Sequence, residues 1–248
     1  MLDRKIAGLL LILVLILAAC GGSSEPPPDP LPLINEAAGY IQTASTFAVT
    51  IERSGAPVYI DTNGLINFLR ATGWYVAPDR VQARVRVLVG GIAGDIDVIA
   101  IGTDQYYRHP ILTGGQWLNA EFSPGFNAEN LVRSESGLGR AMSALQNVEM
   151  VGQEDIDGTA MWHIKGTAVG SEVAALTIGL IPAQADVLVD LYIRVDDHHA
   201  ERMVLVQPDT VSDTEPVPST WTVEVYDYNG DYTITAPGAA SSEGQSQN

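Results

Sequence analysis

An alternation of apolar side chains with a period of two residues runs through most of the chain and restricts the folds open to it. It begins at Phe47, Val49 and Ile51, which alternate with smaller or polar neighbours. Such alternation places every second side chain on one face of a β-strand. The pattern recurs between Gly, Pro, Asn and Asp residues at 64–76, 80–90, 91–101, 104–109, 148–154, 159–166, 187–195, 200–206 and 221–227. The sequence therefore predicts a large, mainly antiparallel sheet.

A Gly-Gly pair separates two of these stretches and allows their register to be predicted. If the pair forms a two-residue turn, Arg86 lies opposite Asp95 and Arg84 opposite Asp97 on one face. The other face then carries the apolar pairs Val81–Ala100, Ala83–Val98 and Val85–Ile96. Because a four-residue loop would set Arg84 against Ile99 instead, the charge pattern and the apolar pattern together favour the two-residue turn.

Three stretches have a helical period instead. Apolar residues recur three and four positions apart at 33–44 and again from Leu138 to Leu145. A third helix is predicted at 171–180, with Ser171 as its cap and Pro182 beyond its end. This third stretch has no charge after Glu172, although a helix on a soluble surface normally has a polar stripe. Either the core encloses it, or part of it faces a lipid-filled cavity or the membrane.

The first thirty residues have the pattern of a lipoprotein export signal. Arg4 and Lys5 precede a short apolar run, and small residues lead to Cys20. The tetrapeptide LAAC that ends at Cys20 resembles a bacterial lipobox, in which the cysteine thiol is joined to diacylglycerol and becomes the first residue. We therefore predict a signal peptide at 1–19, a lipidated cysteine with a Pro-rich tether at 20–32, one domain at 33–236 and a disordered tail at 237–248.

Charge and cysteine content exclude several classes of function. The formal net charge of -17 would repel a polyphosphate backbone, so we expect no nucleic-acid partner. The chain has one cysteine, at position 20, which excludes an intramolecular disulfide and a thiolate metal cluster. The chain is predicted to be attached to the membrane by its acyl anchor, because it has no basic run that could bind anionic lipids after residue 5.

No motif in the sequence favours catalysis. Nucleophile-elbow, zinc-protease, P-loop and dinucleotide-binding patterns are all missing from the sequence. Residues 196–199 read Asp-Asp-His-His, but consecutive residues of a hairpin turn rarely converge on one ion, so a polar turn is favoured over a metal site. His163 alternates with Trp162 and Ile164 and is predicted to point outward from its strand. We expect neither an enzyme nor a bound cofactor.

The order of motifs resembles the LppX/LprAFG family of bacterial lipoproteins, which is related in fold to carriers of the LolA/LolB type. No single motif carries the resemblance, which rests on their shared order across nearly the whole mature chain. The motifs are LAAC, TFAVTIERSG, GWYVAPDRVQARVRV, GTDQYYRHP with Trp117 beyond it, NAENLVRSESGLGRAMSAL, VGQEDIDGTAMWHIKG, VLVDLYIRVDD and YNGDYTITAP.

The resemblance implies an α+β fold, with a large curved antiparallel sheet in the form of a half-barrel. Helices would pack over its concave face and enclose an apolar cavity for the acyl chains of lipids or glycolipids. Because the family has no compact binding motif, the expected cavity residues come from the alternation and the helical period alone. They are Val81, Ala83, Val85, Ile96, Val98, Leu138, Met142, Leu145, Leu176 and Ile178.

Two functions follow from the resemblance. The first is a monomeric lipoprotein, exported and anchored to the outer face of the cell membrane or another envelope membrane, that binds and transfers lipids or glycolipids. The second is an envelope sensor or protein-interaction module of the same fold, with its core filled by side chains. A carrier should retain lipid through purification, whereas a sensor should present an exposed apolar patch or an edge strand.

Overall fold

A single antiparallel sheet of eleven strands forms the frame of the protein in the computed structural model, which describes residues 27–121 and 126–238. The order across the sheet is β6-β5-β4-β3-β2-β1-β11-β10-β9-β8-β7, so the first and the last strand pair in the middle. The sheet stays open and is not closed into a barrel. The predicted α+β class, with helices on one face of a large antiparallel sheet, is confirmed.

Ten of the strands coincide with the predicted stretches to within a few residues. The eleventh, β6, has two residues and was not predicted. The strands are β1 Thr46–Ser54, β2 Ile66–Val76, β3 Arg80–Val89, β4 Ile92–Ile101, β5 Asp104–Arg108, β6 Leu118–Asn119, β7 Gln146–Ile156, β8 Thr159–Val169, β9 Asp186–Arg194, β10 Ala200–Gln207 and β11 Ser219–Tyr226.

The predicted hairpin register of β3 and β4 is confirmed. Arg86 pairs with Asp95 and Arg84 with Asp97, while Ala83 pairs with Val98 on the opposite face. Both glycines of the turn between the strands have positive φ, 56° and 85°, as a tight turn of the primed type requires.

The first helix, α1 (Pro30–Thr43), begins three residues earlier than the sequence period indicates. The side chain of Asp29 accepts a hydrogen bond from the backbone N–H of Leu31 at 3.1 Å, and Pro30 occupies the first turn. Together they form a helix start that tolerates proline. The apolar stripe of α1 is buried on the concave face of the sheet and consists of Leu33, Ile34, Ala37, Ala38 and Ile41.

The second helix, α2 (Leu138–Ser143), ends two residues earlier than predicted and packs against α1. Gly139 allows this contact, because a Cβ at that position would lie 2.9 Å from the carbonyl oxygen of Ala38. The two helices cover the concave face of β7–β11 and the adjoining part of β1. On that half of the sheet, Ile164, Leu191 and Leu205 are fully buried.

The predicted helix at 171–180 is wrong. The segment is a loop with one 3₁₀ turn, Ala174–Leu176. Its base is closed by backbone hydrogen bonds from Gly170 and Ser171 to the carbonyl oxygens of Ala185 and Ala183, at 2.9 and 3.0 Å. Ser171 therefore caps no helix. The apolar residues that suggested one are buried by the folding of the loop itself, and they include Val173, Leu176 and Ile181.

After β11 the chain crosses to the outer, convex face of the sheet. Tyr232 stacks on Trp74 of β2 with ring centroids 5.6 Å apart, and Arg80 donates a hydrogen bond to the carbonyl oxygen of Ile234 at 2.8 Å. Ile234 is fully buried there. The last predicted segment, the tail, lies outside the described residues from position 239 onward, as does the predicted signal peptide with Cys20.

Candidate functional site

Five of the predicted cavity residues lie on one continuous stretch of the concave face, which we call the open floor: Val81, Ala83, Val85, Ile96 and Val98. The register places them in adjacent positions on β3 and β4, as predicted. Val98 is buried, whereas the other four are only partly buried. On the other half of the sheet, α1 and α2 bury most of the same face, although Met150 and Trp162 near the β7 edge are only partly buried. The open floor is the part of the concave face that the two helices leave uncovered.

The open floor has its smallest side chains around Ala83. On its β2 side, Ala83 is paired with Gly73, which contributes no side chain. A Cβ at Gly73 would lie 2.7 Å from the Cβ of Ala83, closer than real side chains approach. The close approach of β2 and β3 therefore requires glycine here, and two small residues side by side leave a depression in the sheet surface.

One end of the open floor is covered by the segment after residue 126. A 3₁₀ helix, Ala128–Leu131, packs against β3, and Ala128 is fully buried. Asn127 caps this helix through its side chain, and Gln105 of β5 donates a hydrogen bond to the carbonyl oxygen of Phe126 at 3.4 Å. Gln105 lies beside the β4–β5 turn, so the segment covers that end of the floor. At the other end, toward the β3–β4 hairpin, Val87 of β3 is buried and Ile92 of β4 is exposed.

An aromatic wall separates the open floor from the covered half. Tyr75 of β2, paired with Val81, stacks on Phe47 with ring centroids 5.0 Å apart. Burial, together with the negative charges of Asp79 and Glu129, raises the pKa of Tyr75 to about 12. Its hydroxyl donates to the carbonyl oxygen of Pro78 at 2.7 Å. The phenol is thereby held in its neutral form at an apolar position. Tyr75 and Gly73 have the same period of two along β2 that identified the floor residues on β3 and β4.

The predicted helical cavity residues lie apart from the open floor, in the covered half. The core between the helices and the sheet buries four of them: Leu138 and Met142 of α2, together with Leu145 and Leu176. The cavity found there has a volume of about 20 Å³, room for about one water molecule. Its lining includes Leu138, Met142 and Leu176, but not Leu145. Among the described residues, the space beneath α1 and α2 is therefore too small for an acyl chain.

Ile178 lies elsewhere again. Its side chain is exposed, and its backbone has a φ of 54°, which is unusual for a β-branched residue. The left-handed conformations of Ile178 and the following Gly179 reverse the chain at this point of the 170–185 loop. The structure thus places Ile178 on the surface and brings it neither to the open floor nor into the packed core.

The histidines single out no catalytic or metal centre. His163 lies on the convex face, where its two ring nitrogens are each 2.6 Å from a carboxylate oxygen, of Glu154 and Asp190. In the predicted polar turn, His198 contacts Glu36 while His199 contacts Asp197, so their side chains diverge. Among residues 27–121 and 126–238, no group of His, Cys, Asp and Glu is arranged to hold a metal ion.

Cys20, the predicted site of the acyl anchor, lies outside the described residues. Within the described ranges, no helix combines the length and the apolar character needed to cross a bilayer.

Sequence comparison identifies the family of this chain. The sequence model of the LppX_LprAFG lipoprotein family matches residues 29–234, which is most of the chain. The chain belongs to this family. No curated protein sequence is detectably similar to it. The family membership confirms the resemblance on which the fold prediction rested.

Solved structures similar to this LppX_LprAFG chain support the same fold. LprF from Mycobacterium bovis has a TM-score of 0.64 at 15% identity, covering 86% of this chain and 99% of its own. The lipoprotein LppX from Mycobacterium tuberculosis has a TM-score of 0.57 at 18% identity, covering 83% of this chain and 98% of its own.

Proposed function

We propose that this protein is a membrane-anchored envelope lipoprotein that binds the acyl chains of a lipid or glycolipid on the open floor and transfers them within the envelope. The observation that carries the proposal is the incomplete burial of the adjacent residues Val81, Ala83, Val85 and Ile96, on a face that α1 and α2 mostly bury elsewhere. Apolar side chains that converge on a concave surface gain free energy when an apolar ligand covers them, at about 25 cal/mol per Å².

Membership of a lipoprotein family supports the predicted lipidation of Cys20 and a location in the cell envelope. No catalytic step is part of the proposed function. Acyl chains are recognised by area and shape, so the site needs no charged group on the floor itself. The charged partners Arg84 and Asp97 lie on the opposite, convex face of the same strands.

The packed half of the molecule favours a second candidate, an envelope sensor or protein-interaction module. The cavity of about 20 Å³ beneath α1 and α2 is too small for an acyl chain. In that case the open floor would be covered by a protein segment instead of a lipid. The two candidates differ in what the purified protein contains.

Organic extraction of the mature chain, residues 21–248, made without its acyl anchor, tests the proposal. Mass spectrometry of the extract should detect lipid in stoichiometric amount. The matched control is the variant Ala83→Trp, whose indole would occupy the depression beside Gly73 and should reduce the bound lipid at least tenfold. A parent protein that is free of lipid, and that takes up none from vesicles, would favour the interaction module.

A further inference from the structure

Five large aliphatic side chains project into solvent at the hairpin end of β2–β5. They are between 45% and 85% exposed, and they come from three separate segments: the loop before β2, the β3–β4 hairpin and the loop after β5. We call them the aliphatic rim: Leu65, Val89, Ile92, Ile111 and Leu112. Exposed aliphatic residues are ordinary when they are scattered singly, but a group of this kind at one edge indicates an interaction surface.

Strand pairing places Val89 opposite Ile92 and places Leu65 at the adjoining end of β2. Ile66, the neighbour of Leu65, pairs with Val89, and Val89 pairs with Ile92 across the Gly-Gly turn. The loop that carries Leu65 is held in place by Asp61, whose carboxylate accepts the backbone N–H groups of Leu65 and Ile66 at 2.9 and 2.7 Å. The projection of Leu65 is therefore built into an ordered turn.

The other two rim residues are placed next to the same hairpin by His109. The backbone N–H groups of Ile111 and Leu112 donate to Nδ1 of His109 at 3.2 and 3.1 Å. The Nε2 atom of the same ring lies 3.4 Å from the position that a Cβ on Gly94 would occupy. Gly94 is two residues from Ile92, so the loop after β5 and the β3–β4 hairpin end side by side.

The rim continues into the open floor. Along β4, Ile92, Ile96 and Val98 point to the same face, and their exposure falls from 76% at Ile92 to 8% at Val98. On β3, Val89 and Val85 point to the same face, with the buried Val87 between them. An apolar track thus runs from the exposed rim to the floor, at the end that the 3₁₀ helix Ala128–Leu131 leaves open.

Arginines lie on the convex face behind the rim. Arg70, Arg84, Arg86 and Arg108 occupy adjacent cross-strand positions on β2–β5, and we call these four the arginine face. The whole chain has thirteen basic and thirty acidic residues, so a local excess of positive charge is opposite in sign to the net charge of the chain. The acidic residues paired with the arginine face are Asp95 and Asp97 on β4 and Glu52 on β1, one fewer than the four arginines.

We propose that the aliphatic rim and the arginine face dock the protein on an anionic bilayer, with the rim inserted among the acyl chains beside the open floor. The inference rests on the function proposed for that floor. Proteins that bind at a membrane interface combine projecting aliphatic side chains with cationic ones. The aliphatic side chains enter the boundary of the acyl chains, and the cationic side chains contact anionic head groups. A protein partner would need a surface shaped to these separate projections, whereas a bilayer accepts each one.

Vesicle flotation of the mature chain, residues 21–248, without its acyl anchor tests the proposal. The probes are phosphatidylcholine vesicles with and without 30% phosphatidylglycerol, a composition chosen to supply about −30 to −50 mV of surface potential. The parent protein should float with the anionic vesicles. The double variant Ile92→Asp, Leu112→Asp should lose at least tenfold in bound fraction, and Arg84→Gln with Arg86→Gln should lose the preference for anionic vesicles.

The matched control carries the same two charge changes on exposed aliphatic residues away from the rim, Leu31→Asp and Val151→Asp, and should float like the parent. Equal flotation of the rim variant and this control would overturn the proposal. So would a rim variant that keeps vesicle binding but loses chemical cross-linking to an envelope protein, which would assign the rim to a protein partner.

The failures of the two proposals are distinguishable. Ala83→Trp should lose extractable lipid while it still floats with anionic vesicles, and the rim variant should show the reverse. Bound lipid in the parent without vesicle binding would contradict docking alone. Vesicle binding by a parent that never holds lipid would contradict the function of the floor alone. Circular dichroism melting checks that each variant is folded.

Discussion

Arg84 of β3 faces Asp97 of β4, and its Nε donates a hydrogen bond to Oδ1 of that carboxylate at 2.9 Å. The other carboxylate oxygen accepts a hydrogen bond of 2.6 Å from Arg108 of β5. Partial burial acts to raise the pKa of Asp97, but the hydrogen bonds from Arg108 and Arg84 outweigh it and lower the pKa. The neighbouring pair Arg86 and Asp95 is looser, with its closest atoms 3.5 Å apart.

Charge reversal should therefore reveal two unequal couplings across the hairpin. Double-mutant cycles on chemical denaturation should give a coupling energy of about 0.5–1 kcal/mol for Arg84 with Asp97 and about a few tenths of a kcal/mol for Arg86 with Asp95. An exposed ion pair contributes little, whereas a carboxylate bound by two arginines contributes more. Additivity in both cycles would contradict the pairing that the two-residue turn produces.

The open floor should tolerate a large side chain that the packed core cannot. Ala83→Trp should lower the free energy of unfolding by less than about 1 kcal/mol, because the ring enters unfilled space above the sheet. The matched variant Ala141→Trp, under the fully buried face of α2, should cost about 3 kcal/mol or more through overpacking. Urea denaturation of both proteins measures the difference. Equal losses would mean that the floor is as tightly packed as the core.

Anchoring should depend on one thiol. Cys20→Ser should abolish incorporation of a clickable fatty acid and release the protein from the membrane fraction, because a folded chain without acyl groups has at most the reversible affinity of the rim. Membrane retention at the parent level without any fatty-acid label would refute this assignment.

Tyr75 should make the protein sensitive to alkaline pH. A pKa raised to about 12 means that the folded state holds the phenolic proton more tightly than the unfolded state, whose tyrosine pKa is about 10. The stability contribution is therefore complete below about pH 10 and is lost as pH rises toward about 12.

Tyr75→Phe should reduce that alkaline loss by about 1 kcal/mol, once screening by solvent is allowed for. The measurement is denaturation at a series of pH values between about 9 and 12. Tyr59→Phe, at an exposed position, serves as the control and should leave the slope as it is in the parent. The same slope in the Tyr75 variant and the parent would contradict the assignment.

Ile178 should be a position where a smaller, less branched residue stabilises the fold. An isoleucine at φ 54° carries strain that asparagine tolerates, so Ile178→Asn should raise the free energy of unfolding by about 0.5–1 kcal/mol. Val211 is also exposed but has a φ of -69°, so Val211→Asn should bring no such gain. A loss of stability at Ile178 would show that its side chain contributes more than its backbone costs.

Most of the sheet could be predicted because alternation and burial coincide in it. The positions of Ala83 and Val98 followed from the two-residue turn, and a register slip would have moved both to the wrong face. The strand β6 was missed because two residues cannot show a period. The loop at 171–180 was mistaken for a helix because its apolar residues are buried by backbone contacts between Gly170 and Ala185, which a periodicity cannot reveal.

The candidate site was predictable only in part. The alternation identified which side chains share the concave face, but not which of them the helices would cover. Whether Met142 lines a cavity or a packed core depends on how closely α1 and α2 approach the sheet. The rim residues Ile111 and Leu112 lie in a loop, and their common location with Ile92 depends on the hydrogen bonds of His109.

The pairing of β1 with β11 makes the centre of the sheet the last part to be completed as the chain is synthesised. β1 pairs with β2 as soon as that hairpin emerges, yet its other edge has no partner until Ser219–Tyr226 has been made. Until then each half-sheet has a free inner edge of unpaired backbone groups. A nascent chain that stalls before the final strand would expose both edges, and such edges are sites of aggregation and of capture by chaperones or proteases.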